Sequence, residues 1–112
     1  MINETIKTIR QLKGLSKKET SRMTGISVET ITRLETKTSK DKRAMLSLSS
    51  LSACYGMPLT KIYEIDEIKE KYCLSDDELK FVIMDTIVNS PEHAEESMLK
   101  LIDKQTVNQH AN

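Results

Sequence analysis

The sequence predicts an all-α protein, and three observations support that class. It has three Tyr, one Phe and no Trp, so most of the apolar content lies in Leu, Ile, Val, Met and Ala. The 3 Gly and 2 Pro in 112 residues are too few for the many turns of a fold rich in sheet. The apolar residues recur three and four positions apart, which places them on one face of a helix.

The first two helices are indicated by their ends. Helix one is expected over NETIKTIRQLK, with Asn3 as its N-cap and Gly14 just after its last turn. Its inner face is formed by Ile2, Ile6, Ile9 and Leu12. Ser16 and Glu19 then have the S-x-x-E spacing of a capping box, so a second helix is expected from Lys17 to Thr24.

Gly25 interrupts what otherwise reads as one continuous helix. A residue that follows a helix often needs a positive φ, which glycine adopts without steric cost, so Gly25 predicts a sharp turn between two short helices. Ser27 is the expected cap of helix three, VETITRLE, in which Ile31 and Leu34 face the core. The charged stretch TKTSKDKR, residues 36–43, lacks apolar periodicity and is predicted to be a loop.

The remaining helices follow the same signals. Helix four is expected over AMLSLSSLSACY, ending at Gly56, and helix five over LTKIYEI, with a continuation toward Tyr72. Ser75 and Glu78 form a second capping box, and Pro91 suits the first position of a last helix. We therefore expect a domain over residues 1–68 and a C-terminal helical hairpin within residues 69–112.

The charges are unevenly divided between these parts. The chain has zero net charge, yet up to Glu64 it holds 12 Lys and Arg against 6 Asp and Glu, and beyond Glu64 it holds 5 against 11. A basic part suits a polyanion, and an acidic part suits a different role. No apolar run is long enough for a membrane span or a signal peptide, so a cytoplasmic protein is expected.

Metal, cofactor and enzyme functions are not indicated. Cys54 and Cys73 share no short spacing, and His93 and His110 lie outside any metal-ligand pattern, so we expect reduced thiols and no metal site. The sequence has no His-containing triad, no Gly-rich phosphate loop and no evident acidic pair. Neither a cofactor nor an enzymatic activity is therefore predicted.

Three segments together resemble the Cro/repressor class of helix-turn-helix domains: IRQLKGLSKKETSRMTGIS, TITRLET and LSACYGMPLTKIYEI, within residues 6–65. The resemblance implies a five-helix, lambda-repressor-like DNA-binding domain followed by the hairpin, and an ion pair between Arg10 and Glu35. In this class Gln is usual at the position of Lys17 and Ala at the position of Ser21. Ser21 keeps the helices close, and Lys17 offers a charge to a phosphate.

The first turns of a helix that enters the major groove reach the base edges, which identifies the candidate readers in helix three. The candidate base-contacting residues are Ser27, Val28, Glu29, Thr32 and Arg33. Arg33 is preferred, because a guanidinium can make two hydrogen bonds to guanine. Basic residues around this helix are the candidate phosphate contacts: Lys17, Arg22, Lys37, Lys40, Lys42 and Arg43.

The C-terminal hairpin is expected to hold copies of the chain together. Its predicted association surface is formed by Leu79, Phe81, Val82, Ile83, Ile87, Met98, Leu101 and Ile102, and folding back onto the protein's own domain is the alternative. The predicted function is a phage or mobile-element repressor that binds a palindromic, double-stranded DNA operator as a homodimer or higher oligomer. Three alternatives remain open: an antitoxin-like autorepressor, a regulator of a developmental or restriction system, and a module that binds a protein partner through its acidic helices.

Overall fold

The computed structural model describes the backbone of residues 2–37 and 41–110 and the side chains of residues 2–37 and 41–100. The predicted all-α class is confirmed, since the described residues form helices and no strand. The helices are α1 (Ile2–Leu12), α2 (Lys17–Thr24), α3 (Val28–Thr36), α4 (Lys42–Cys54), α5 (Leu59–Tyr72), α6 (Asp76–Val88) and α7 (Pro91–His110).

Most helix ends lie where the caps predict them. The capping box at Ser75 is complete, because its hydroxyl accepts from the Glu78 amide and the Glu78 carboxylate accepts from the Ser75 amide. Pro91 is the first residue of α7, as predicted, and φ at Gly14 is 71°, the left-handed conformation expected after α1.

Two predicted ends are wrong. Asn3 does not cap α1, because the helix has begun by Ile2 and the Asn3 side chain belongs to its first turn. The loop predicted over residues 36–43 ends early, since α4 begins at Lys42. Asp41 is the missed cap of α4, and its side chain accepts a hydrogen bond from the Arg43 amide at 3.1 Å.

The core lies around α1, which packs against α3, α5 and α6. Its buried side chains Ile6 and Ile9 lie in one apolar cluster with residues of every later helix except α2. Helix α2 packs against α3 and α4, while α7 packs against α5 and α6. Helices α1, α3, α4 and α5 and the C-terminal hairpin of α6 and α7 therefore share a single core.

Helix α5 joins the two parts of the chain without interruption. Its predicted continuation to Tyr72 is confirmed, and the proposed boundary between residues 68 and 69 falls inside it. The helix ends at Cys73, which takes a left-handed conformation with a φ of 50° although it is not glycine. The left-handed conformation at this end was not predicted, because glycine or asparagine is the usual residue there. None of the described helices is both long and apolar enough to cross a membrane.

Candidate nucleic-acid interface

The turn between α2 and α3 is built as Gly25 predicts. Gly25 has a φ of 77°, and its amide donates to the Ser21 carbonyl at 2.8 Å, which closes the last turn of α2. Ser27 then begins α3 by accepting a hydrogen bond from the Thr30 amide at 3.2 Å. Two short helices are thereby set against each other with only Gly25, Ile26 and Ser27 between them.

Helix α3 has a buried face and an outward face. Ile31 and Leu34 are buried in the core, as predicted. The predicted base-contacting residues lie outside it: Ser27, Val28, Glu29 and Arg33 are exposed, and Thr32 is partly exposed. The structure thus leaves the N-terminal half of α3 accessible for contact with a ligand.

A buried ion pair fixes the end of α3 against α1. Arg10 Nε donates to Glu35 Oε2 at 2.7 Å, and Arg10 Nη2 donates to Oε1 at 3.1 Å, so the pairing is bidentate. Arg10 Nη1 also donates to the Leu15 carbonyl oxygen, just before α2, at 2.7 Å. Donating these hydrogen bonds to Glu35 raises the pKa of Arg10. The ion pair implied by the family resemblance is present, and Arg10 connects α1 with α3 and with the segment that precedes α2.

The predicted phosphate contacts lie on α2, at the end of α3 and around the start of α4. Lys17 lies partly buried at the start of α2, while Arg22, Lys37, Lys42 and Arg43 are exposed. Lys40 lies outside the described residues. The corrected start of α4 moves Lys42 and Arg43 from a loop onto the first turn of a helix, where backbone amides also favour an anion.

A groove of about 350 Å³ runs between α3 and the start of α4. Arg33, Lys37 and Arg43 line it together with the hydroxyls of Thr30 and Ser47. Asp41 is the acidic residue of its lining, and it caps α4. Arg33 therefore borders both the outward face of α3 and a cationic groove, a position that sequence spacing did not reveal.

The acidic half presents a different surface. A groove of about 390 Å³ between α5 and α7 is lined by Glu64, Glu67, Glu92, Glu95 and Glu96, with Lys71, Ile68 and Pro91. Negative charge of this density repels phosphate. The two grooves place the opposite charges of the chain on different helices, in agreement with the division in the sequence.

The predicted association residues separate into two sets. Leu79, Val82, Ile83 and Met98 are buried in the core of their own chain, which corrects their assignment to an outer surface, because the neighbouring helices already cover them. These four residues therefore follow the alternative prediction, in which the apolar face of the hairpin folds back onto the protein's own domain. Phe81 and Ile87 are exposed. The side chains of Leu101 and Ile102 lie outside those described.

Potential metal ligands are dispersed within the described part of the chain, where no group of three or more His, Cys, Asp or Glu side chains is placed to hold a metal ion. Cys54 is partly buried and Cys73 is exposed, and both are free thiols.

Comparison with known proteins supports the geometry of the N-terminal half. A family model described as helix-turn-helix, of the Cro/C1 type, matches residues 6–60. No curated protein and no solved structure matches the chain. The matched residues run from α1 to the start of α5 and include the whole of α2, Gly25 and α3.

Proposed function

Since its residues 6–60 identify the chain as a member of the Cro/C1-type helix-turn-helix family, a family of DNA-binding transcription regulators, we propose that this regulator is a repressor of a phage or another mobile element. It binds a palindromic operator in double-stranded DNA as a dimer or higher oligomer, and it acts in the cytoplasm, where that DNA lies. No enzymatic role is part of this proposal.

The observation that carries the proposal is the exposed outward face of α3 with a cationic groove beside it. Ser27, Val28 and Glu29 project from the first turn, which is the part of a recognition helix that meets base edges in the major groove. Arg33 adds a guanidinium suited to guanine. We assign the phosphate contacts that hold the helix in register to the basic residues at the starts of α2 and α4, of which Arg43 lines one groove with Arg33.

Two copies are needed to read a palindrome. One α3 covers a single half-site, whereas two copies related by a two-fold axis reach major-groove segments about 34 Å apart. We assign DNA contact to residues 1–68 and self-association to residues 69–112. The acidic groove between α5 and α7 supports this division, because it disfavours DNA on that side of the molecule.

The decisive experiment measures binding of the full chain to duplex DNA of random sequence across a range of salt concentrations. We expect log K to fall linearly with log salt concentration, with a slope of roughly −0.9 per phosphate contact. Selection of tightly bound duplexes should then enrich an inverted repeat. Absence of salt-dependent binding would contradict DNA binding and favour a protein-interaction function. Enrichment of single half-sites would contradict a palindromic operator.

An antitoxin-like autorepressor is the second candidate, because α6 exposes apolar side chains that a partner protein could cover. It shares the DNA-binding function and differs in the regulated gene. Co-expression with the product of the adjacent gene, followed by purification, distinguishes them: a stable complex of two different chains favours the autorepressor.

A further inference from the structure

Helix α6 is apolar on two opposite sides. Leu79, Val82 and Ile83 fill the core, yet Phe81, Met84, Ile87 and Val88 form a second apolar stripe that faces outward. These four residues, which we call the α6 stripe, are 40, 58, 49 and 78 % exposed. A surface helix normally carries polar residues on the side opposite its buried apolar side. The outer side of α6 is therefore uncovered in the isolated chain.

We propose that the α6 stripe is the self-association surface of this protein and that a second copy of the chain covers it, with the two α6 helices crossing antiparallel about Met84. The proposal rests on the proposed function only in requiring two copies to read a palindrome. Self-association itself is a separate property that is measured without DNA.

The area of the stripe suits a dimer of this size. Its exposed fractions correspond to roughly 450 Å² of apolar surface, within the range of about 300–600 Å² for the largest patch on a monomer, which is often functional. A standard interface buries about 800 Å² per partner, and about 65 % of a homodimer interface is apolar, which amounts to about 500 Å². One α6 stripe thus supplies nearly the whole apolar part of such an interface.

The charges beside the stripe favour the antiparallel arrangement. Asp77 and Lys80 are exposed near its N-terminal end. A parallel pair would set each of them against its own counterpart. An antiparallel crossing at Met84 separates the two Lys80 by about 12 Å and the two Asp77 by about 21 Å along the helix, at about 1.5 Å per residue. Both separations exceed the Debye length of about 8 Å at physiological salt.

The packing of α6 connects this surface to the DNA-binding motif. Helix α6 packs directly on α1, and α1 packs directly on α3. The buried pair of Arg10 and Glu35 fixes that second contact. A two-fold axis at α6 consequently sets the relative position of two α3 helices through one intervening helix in each copy, as the reading of a palindrome requires.

The first test compares the molecular mass of three full-length proteins in solution at micromolar concentration. We expect the wild-type chain to be a dimer and Met84→Lys/Val88→Lys to be a monomer, with dimerisation weakened at least about 10-fold because the lysines bring charge into an apolar contact. Leu46→Lys is the matched control, since Leu46 is 71 % exposed on α4, outside the stripe. It should remain a dimer.

Thermal unfolding of each variant keeps the comparison valid, because all three substituted positions are exposed and the melting temperatures should stay close to that of the wild type. A monomeric wild-type chain, or a double variant that dimerises as tightly as the wild type, overturns the proposal. A dimer that fails to bind random duplex DNA would instead refute the DNA-binding proposal and leave this one standing.

The second test examines the crossing point by oxidative cross-linking. Both variants carry Cys73→Ser, which removes the exposed native thiol. Met84→Cys should form a covalent dimer, because the two-fold axis brings position 84 of each copy together. Glu92→Cys, an exposed position in the acidic groove, should remain uncross-linked. Equal cross-linking of both variants, or none at position 84, contradicts the antiparallel crossing.

Discussion

At the scale of single residues, the guanidinium of Arg33 can contact two parts of DNA, a base edge or a backbone phosphate. It extends from the outward face of α3 and also lines the groove shared with Lys37 and Arg43. We predict that Arg33→Ala weakens operator binding by about 1–3 kcal/mol and relaxes the preference at one base position, as a base contact requires.

Lys37→Ala is the matched control for that variant, because Lys37 lines the same groove one helical turn further along the chain. Binding to operator and random duplexes should weaken equally, and the salt slope should fall by about one, as for a phosphate contact. Identical behaviour of the two variants across DNA sequences would contradict the role of Arg33 as a base reader. Competition titrations with single-base operator variants measure the difference.

The buried pair of Arg10 and Glu35 provides the second prediction at this scale. Arg10→Met leaves the Glu35 carboxylate buried without its partner, so we expect a loss of stability of about 3–5 kcal/mol. Replacing both residues, as Arg10→Met/Glu35→Leu, should recover much of that loss, because no buried charge remains. Urea unfolding of the two variants and the wild type checks this. A double variant as unstable as Arg10→Met would show that the pair itself, rather than the isolated charge, dominates.

Sequence reasoning located single residues well wherever one local rule decided their position. Ile31 and Leu34 were assigned to the core by helical spacing, and Ser27 to the start of α3 by its side-chain oxygen. The groove beside Arg33 was not predictable, because it depends on how α4 packs near α3. Met84 and Val88 were missed for a related reason: spacing shows that α6 is apolar, but only packing shows which side is covered.

At the scale of elements, the turn at Gly25 governs the geometry of the motif. Gly25 and Gly14 both have a positive φ, and neither has a neighbouring atom where a Cβ would lie, so the cost of substitution comes from the backbone. A β-branched residue is more strongly disfavoured there than alanine. We predict that Gly25→Val lowers the melting temperature more than Gly14→Ala. Gly25→Ala is the control that separates the effect of β-branching from the effect of the substituted position. Equal melting temperatures of Gly25→Val and Gly25→Ala would contradict the argument.

The contact between α1 and α5 has a pH-dependent component. Lys69 Nζ lies 2.9 Å from Glu4 Oε2, and this hydrogen bond lowers the pKa of Glu4 below its usual 4.5. A lowered folded pKa means that the stabilisation is fully present above the unfolded pKa and is lost as the pH falls through the folded pKa. Because Glu4 is largely exposed, we expect the pair to contribute less than about 1 kcal/mol.

The measurement is a double-mutant cycle with Glu4→Gln and Lys69→Met, followed by urea unfolding. The coupling energy should be present near neutral pH and should disappear in acid once Glu4 is protonated. A coupling energy that persists below the folded pKa of Glu4 would show that the two side chains interact through packing rather than through charge.

Helix starts were predicted correctly where a serine lies just before the helix, because a capping side chain acts within three residues of the helix it begins. Ser16 and Ser75 show this, whereas the starts of α1 and α4 were predicted wrongly. Asp41 follows the same capping rule, but it stands in a charged stretch without apolar periodicity. The left-handed conformation of Cys73 could not be predicted from the sequence, since glycine or asparagine is the usual residue after a helix in that conformation.

At the scale of the whole molecule, the hairpin of α6 and α7 is part of the core that supports the DNA-binding motif. Leu79, Val82 and Ile83 are buried on α6, which packs on α1, α5 and α7, and Ala94 and Met98 are buried on α7. The sequence divided the chain by charge and by spacing, which are properties of its surface and its individual helices. A core that joins the two parts depends on long-range packing, which neither property specifies.

This shared core predicts the behaviour of a fragment truncated after Tyr72. Removing α6 uncovers the faces of α1 and α5 beneath it, and burial of each Leu, Ile or Val side chain contributes about 1.5–3 kcal/mol. With three such side chains of α6 removed, we expect the fragment to be less stable than the full chain by at least about 3 kcal/mol, and to melt at a lower temperature. Urea and thermal unfolding of the two proteins measure the loss.

The same fragment separates stability from association. Met84→Lys/Val88→Lys retains the core side chains of α6, so its melting temperature should be close to that of the wild-type chain although it fails to dimerise. The fragment truncated after Tyr72 should be both monomeric and less stable. If the fragment instead has the same melting temperature as the full chain, the hairpin adds nothing to the core, and the two parts are independent domains. Operator affinity provides a further comparison between the truncated fragment and the monomeric variant Met84→Lys/Val88→Lys. If the core is shared, the fragment should bind the operator more weakly than this variant. Both proteins lack a dimer partner, but only the fragment has also lost the packing that supports α3.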